Sequence, residues 1–163
     1  LVRLVCPYTP DGLRKETMYA LAKLTDHHLY DVEMVDVSGH DDSYAELLAE
    51  LWTDGEDFCL IEHDIVPTIA AIDAMDACPK SWCANAYRVN HQVGEVIVGL
   101  GFTRFRGELC RELPDAVFRT GRWEGRYPRQ HWAKCDARLA KELNDAGHLV
   151  HRHHPDVGHL HLV

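Results

Sequence analysis

The stretch Phe58-Cys59-Leu60-Ile61-Glu62-His63-Asp64 decides how this chain is read. An apolar run of strand length stops at two carboxylates two residues apart, and apolar sequence resumes at Ile65, Val66 and Pro67. In extended backbone, residues i and i+2 point the same way, so Glu62 and Asp64 are expected to converge at the end of a buried strand. Two oxygen ligands placed there would hold a hard divalent cation and leave most of its coordination sphere for a phosphate-bearing substrate. Taken alone, the triplet fits a solvated acidic turn better, because acidic loop residues are common.

Outward from the triplet, short apolar strands alternate with helices. Leu1–Cys6 reads as a first strand stopped by Pro7 and Pro10, followed by an Asp11-Gly12 turn and a helix over about 13–24. Val32–Val37 reads as a second strand. Tyr44, Leu47, Leu48, Leu51 and Trp52 then fall at i, i+3, i+4, i+7 and i+8 of a second helix closed by Asp54-Gly55. After the acidic-ended strand, Pro67 suits the first turn of a short helix carrying Ile69, Ile72 and Met75, and Trp82–Ala86 reads as a fourth strand. This alternation predicts an α/β fold: an open, mainly parallel sheet flanked by helices, with a Rossmann-like N-terminal half and a single domain. Ligands of such sheets sit beyond the carboxyl ends of the strands, where Asp36, Glu62 and Asp64 all fall. That agreement raises the functional reading above the solvated turn.

The second half is less regular. Val96–Val98 and Phe102–Phe105 read as short strands around Gly99-Leu100-Gly101, Glu108–Leu113 as a helix, 115–130 as a long loop, and 131–146 as a last helix capped by Gly147. A full G-x-G-x-x-G is absent, so Gly99 and Gly101 fit close approach of backbone to a ligand, or a bulge, rather than a dinucleotide fingerprint.

At 163 residues the chain is large enough to bury a core without disulfides. Its apolar and charged fractions, 46% and 26%, are those of an ordinary soluble globular protein. No run is long enough to span a bilayer and nothing resembles a signal peptide. The chain opens at Leu1 inside an apparent strand, which leaves room for a preceding Met or short leader. Six cysteines without a C-x-x-C pair point to a reducing cytoplasm and argue against a cysteine-based zinc site. A net charge of −9 argues against unaided binding to a nucleic-acid backbone, although Arg104, Arg106, Arg111, Arg119, Arg122, Arg126 and Arg129 make the central third basic.

Two further features carry chemistry. Asp136 lies four residues after Trp132, on the side of the last helix marked by Cys135, Leu139 and Leu143. A carboxylate there is costly unless paired or open to a cleft, while an Asp in a first helical turn is also favoured by the helix dipole. The tail holds six histidines between His148 and His161. His159 and His161 share one face of an extended segment, so one of them is placed to close a site begun by Glu62 and Asp64.

The ordered set resembles a short GT-A-type glycosyltransferase, a fold that uses nucleotide-sugar donors. That family has an acidic D-x-D triplet after a strand, a glycine-containing loop, an acidic x-E-D motif at a helix start and a C-terminal metal-binding histidine. Here these correspond to Glu62-His63-Asp64, Gly99-Leu100-Gly101, Lys134-Cys135-Asp136 and the His159/His161 pair. The triplet departs in beginning with Glu, and the x-E-D motif keeps only its Asp. The resemblance implies that Pro7, Tyr8 and Thr9 line the base pocket and that Asp36 contacts the base. It divides the chain into a nucleotide-binding half, 1–90, and an acceptor-binding, metal-closing half, 91–163. Short enzymes of this kind occur in phages, which implies the cytoplasm of a bacterial host and modified DNA or a glycan as acceptor.

The expected activity is transfer of a sugar from a nucleoside diphosphate donor, UDP-linked by preference, to an acceptor hydroxyl with inversion. Asp64, Glu62 and a tail histidine would hold Mn²⁺ or Mg²⁺, Arg14 or another Arg would supplement the metal at the phosphates, and Asp136 would be the general base. A metal-dependent hydrolase of a nucleotide-type substrate and a non-catalytic nucleotide- or metal-binding module are the alternatives.

Overall fold

The computed structural model describes residues 2–26, 29–40, 42–88, 96–97, 99–117, 132–155 and 157–160. Val98, residues 118–130 of the expected loop and His161 lie outside the described residues.

A six-stranded sheet forms the centre. It contains β1 (Arg3–Tyr8), β2 (Val32–Asp36), β3 (Phe58–Ile61), β5 (Trp82–Asn85), β8 (Phe102–Phe105) and β9 (His151–His153), in the order β2-β1-β3-β8-β5-β9. Five strands run one way; β8 runs antiparallel to both β3 and β5. The mainly parallel α/β architecture expected from the alternating pattern is therefore present, with one reversed strand in the middle. That reversal brings the start of β8, and with it Gly99–Gly101, to the edge where β3 ends: Ile61 pairs with Phe102, and the Glu62 N–H donates to the Gly101 carbonyl at 2.8 Å. Two small ladders lie outside this sheet, β4 (Ile65–Val66) with β10 (Gly158–His159) and β6 (Tyr87–Arg88) with β7 (Val96–Ile97).

The period-two alternation of the strands sorts the core onto two faces. Val5, Phe58, Leu60, Trp82 and Phe105 pack under α2 (Ser43–Asp54), α4 (Gly107–Glu112) and α5 (Trp132–Asp145), which contribute Leu48, Leu51, Trp52, Leu109, Leu139 and Leu143. Leu4, Cys6, Cys59, Ile61 and Phe102 pack on the other face under α1 (Lys15–Asp26) and α3 (Ile69–Asp76), through Leu21, Leu24, Ile72 and Met75. Both sides of the sheet are thus covered, as the uniformly buried FCLI and WCAN runs require. No described helix is long and apolar enough to cross a membrane.

Local chemistry sets the boundaries. Gly55, at φ +67°, ends α2 in a left-handed turn, and Gly147, at φ +92°, ends α5, with His148 N–H reaching back to the Leu143 carbonyl at 2.8 Å. Pro67 precedes the cap of α3 rather than entering its first turn, because the Thr68 hydroxyl takes the cap position and accepts from Ala71 N–H at 3.2 Å. The first strand also runs through Pro7 instead of stopping before it. Tyr8 accepts from Val37 N–H at 2.9 Å, so Pro7 turns its missing donor toward β3, where pairing has already ended at Val5–Leu60.

Candidate functional site

The candidate site is built where β3 ends. Alternation from Phe58 carries Glu62 to the α2 face, where Glu62 Oε1 accepts a hydrogen bond from the Tyr44 hydroxyl at 3.0 Å. His63 turns to the opposite face. Its Nδ1 accepts from Thr9 N–H at 3.2 Å, and its ring lies where a side chain on Gly12 would stand, so it packs the start of the α1 region. The chain then leaves extended conformation, with Ile65 N–H closing a turn onto the Glu62 carbonyl at 3.0 Å. Glu62 and Asp64 are brought together by this turn, not by the straight i, i+2 geometry expected from the sequence.

The tail reaches the same place through the β4–β10 ladder. His159 pairs with Ile65, and Leu160 N–H donates to the Asp64 carbonyl at 2.8 Å. These bonds set the His159 Nε2 3.3 Å from Asp64 Oδ2, with side-chain exposures of 7% and 16%, so the pair is largely buried rather than a surface pair. Arg14 helps hold the tail there, donating from its backbone N–H to the His63 carbonyl at 3.0 Å and from Nε to the Leu160 carbonyl at 3.2 Å.

The glycine loop forms a third wall. A Cβ on Gly101 would stand 2.5 Å from the Tyr87 hydroxyl oxygen and 3.2 Å from Glu62 Oε2. A Cβ on Gly99 would stand 3.0 Å from the same hydroxyl and 3.1 Å from Asp136 Oδ2. A side chain at Gly101 would thus force Tyr87 to move, and Gly99 is closely approached by Tyr87 and Asp136. Tyr87 in turn lies against the imidazole of His159, ring centres 4.8 Å apart. Asp136 also borders a cavity of about 130 Å³, together with Gly99, Thr103, Leu139, Ala140 and Arg152.

Three carboxylates and an imidazole thus share one partly dry edge. Burial first, and the Asp64 charge second, push the Glu62 carboxyl up to about 7, with Asp136 adding to the rise and the Tyr44 hydroxyl and His159 opposing it. The Tyr87 phenol is held well above its usual range by burial and then by Glu62, Asp136 and Asp64. Burial lowers the His63 imidazole, against Asp64. Such mutual repulsion is what a bound cation would relieve. The donor set of carboxylate oxygens and one imidazole nitrogen suits a hard or borderline divalent ion, and the residues present fit one.

The other expected residues line the same sheet edge farther along. Tyr8 pairs with Asp36 at the ends of β1 and β2; Pro7 is buried, Tyr8 and Thr9 half-buried. Asp36 is exposed and accepts from Ser38 N–H at 2.8 Å; hydrogen bonding to the Ser38 side chain first, and to this N–H second, lowers its carboxyl. Sequence reasoning missed the two tyrosines. Tyr44 reads as part of an apolar helix face and Tyr87 as the residue after a strand; only the polar end of each, next to an acidic motif, would have pointed to them.

In fold, the chain is similar to a glycosyltransferase involved in the glycosylation of the major capsid of PBCV-1, at 9% identity over 95% of this chain and 83% of that one, with a TM-score of 0.51. It is also similar to A197 from STIV, at 15% identity over 69% of this chain and 68% of that one, with a TM-score of 0.47. No family model matches the sequence, and no curated protein matches it. The first of these likenesses supports the fold class alone: an α/β domain with a mixed, mostly parallel sheet, of the kind a glycosyltransferase uses.

Proposed function

We propose that the chain transfers a sugar from a nucleoside diphosphate donor, UDP-linked by preference, to an acceptor hydroxyl. The observation that carries this reading is the convergence of Asp64, Glu62, His159 and Asp136 at the carboxyl edge of a sheet whose fold a glycosyltransferase shares. Asp64, Glu62 and His159 would hold Mn²⁺ or Mg²⁺, which supplies charge neutralisation at the diphosphate leaving group. Residues 1–90 bind the nucleotide, with Pro7, Tyr8, Thr9 and Asp36 along the edge available to the base and Arg14 to the phosphates. Residues 91–163 hold the acceptor and close the metal site.

Asp136 takes the proton of the acceptor hydroxyl as that oxygen attacks the anomeric carbon, so the configuration inverts. Its position on α5 beside Gly99 supports this role, because the glycine leaves the carboxylate within reach of the loop and of a cavity beside it. Tyr87 and Tyr44 orient Glu62 and His159, and the glycine loop keeps the wall thin enough for the donor. The acceptor class that fits a chain of net charge −9 is a neutral hydroxyl compound such as a glycan; modified DNA would have to be bound through Arg119, Arg122, Arg126 and Arg129, because Arg104 is buried and Arg106 is paired with Asp57.

Turnover of UDP-sugars with Mn²⁺ tests the proposal. Sugar appearing on an added acceptor, with UDP released, supports transfer; sugar released to water at the same rate with or without acceptor means hydrolysis instead. In Asp136→Asn, transfer should fall by about 10²–10⁴-fold with donor binding unchanged. Full turnover in that variant would remove Asp136 as the base.

A further inference from the structure

On the face of the sheet covered by α1 and α3, two cysteines and a histidine meet in a place that the proposed reaction does not use. Cys78 follows α3, Cys83 lies on β5 and His153 ends β9; a ligand atom from each lies within 4.8 Å of the others. The parallel pairing of β5 with β9 causes this, with Cys83 opposite His151 and Asn85 opposite His153. The two cysteine residues are almost wholly buried, and the Nε2 of His153 is buried without a hydrogen-bond partner. A buried imidazole nitrogen left unbonded costs free energy unless something occupies it.

The surroundings are pre-shaped. The Arg104 residue is 0% exposed, and its guanidinium donates from Nη2 to the Cys78 carbonyl at 2.9 Å, the Lys80 carbonyl at 3.0 Å and Cys83 Sγ at 3.3 Å, and from Nε to the Met75 carbonyl at 3.0 Å. Arg106 Nη2 adds bonds to the Asp76 and Cys78 carbonyls, both at 2.8 Å. Two guanidinium groups therefore fix the backbone that carries Cys78. Among the described residues, no carboxylate stands within ion-pairing distance of Arg104. A permanently charged side chain buried without a counterion is strongly disfavoured, and a thiolate at Cys83, whose Sγ already accepts from Arg104, would supply the missing negative charge.

We propose that Cys78, Cys83 and His153 form a buried site for a thiophilic d¹⁰ cation, zinc(II) or copper(I), that fastens the C-terminal edge strand to the sheet. Binding forms two metal–sulfur bonds and one metal–nitrogen bond and releases two thiol protons to solvent. Thiolate and imidazole ligands select such ions over the magnesium or manganese suited to the carboxylate site. With two thiolates, copper(I) gives a unit of charge −1 that balances Arg104. Zinc(II) gives a neutral unit and needs a fourth ligand, water or hydroxide. Because β9 leads directly into β10 and His159, the cation would also steady the arm that completes the carboxylate cluster.

The test loads reduced protein with zinc(II), or anaerobically with copper(I), desalts it and measures retained metal. One equivalent in either arm supports the site, and competition between the two ions tells which is preferred. Cobalt(II) as a zinc surrogate should give thiolate-to-metal charge-transfer absorption, which carboxylate ligands cannot produce. Loading should raise Tm by about 5–10 °C. Cys78→Ser, Cys83→Ser and His153→Asn should each weaken binding by roughly 100-fold or more, whereas Cys110→Ser, at a buried cysteine elsewhere, should not. His153 is only half-buried, so His153→Asn keeps the test open where a cysteine variant fails to fold. No retained equivalent of either ion, unchanged charge transfer in His153→Asn, or a Cys78–Cys83 disulfide in protein prepared without oxidant would each overturn the proposal.

Discussion

His153 and His159 belong to the same tail yet stand in opposite chemical surroundings. His159 faces Asp64 across 3.3 Å, with Glu62 and Asp136 near it, at the open edge of the sheet. His153 sits with two cysteines and a guanidinium on the face covered by α1 and α3. The first cluster gathers negative charge that repels itself, and the second encloses positive charge with neutral sulfur around it. Repulsion at a cleft is tolerated where a ligand is to be bound, whereas a closed cluster must be satisfied from within. On the two proposals made above, the contrast would separate a place that binds a ligand from one that holds the chain together.

The largest expected effect that sharpens this contrast is at Asp64. Asp64→Ala should weaken Mn²⁺-dependent donor binding by roughly 100-fold or more, while Cys83→Ser leaves it within a few-fold; titration calorimetry on both variants checks this. Equal losses in the two would mean that the clusters are not independent.

Next is the pH dependence of stability without metal. The Glu62 carboxyl lies at about 7 in the folded chain, against 4.5 for the unperturbed group. An acid raised by folding costs nothing while both states are protonated, and its cost grows as the unfolded state ionises first. Stability should therefore fall as pH rises from about 4.5 to 7, by about 2–3 kcal/mol. Glu62→Gln should flatten that window in urea unfolding. A slope that survives the substitution would place the proton on another group.

The smallest effect is steric. Gly101→Ala sets a Cβ 2.5 Å from the Tyr87 hydroxyl oxygen, so the tyrosine must shift, at a cost of about 1–3 kcal/mol. Urea unfolding of Gly101→Ala and of the double variant Gly101→Ala/Tyr87→Phe separates the loop from the ring. Equal destabilisation in both would show that the hydroxyl is not the obstacle.

The central sheet was legible because its strands carry their own signal. Phe58–Ile61 and Trp82-Cys83-Ala84 are continuous apolar runs, the α2 face repeats at helical spacing, and Gly55 and Gly147 mark helix ends that need left-handed backbone. The acidic triplet, Asp136 and the glycine loop could be picked out singly, since each breaks an apolar pattern. What brings them together could not. The ladder of β4 with β10 has two residues in each strand, too short for any periodicity, and the reversed β8 follows from pairing alone. Cys83 and His153 meet through the β5–β9 pairing and Cys78 joins them from the end of α3, so their spacing in sequence looks nothing like a metal motif.

The most direct measurement of the central claim is the thermal shift of the wild-type chain with a panel of nucleotide sugars, with and without Mn²⁺. The carboxylate cluster predicts that a UDP-sugar with Mn²⁺ raises Tm by about 5–10 °C, that either alone does much less, and that Asp64→Ala abolishes the joint effect. A shift that is independent of Mn²⁺, or none with any nucleotide sugar, would contradict it.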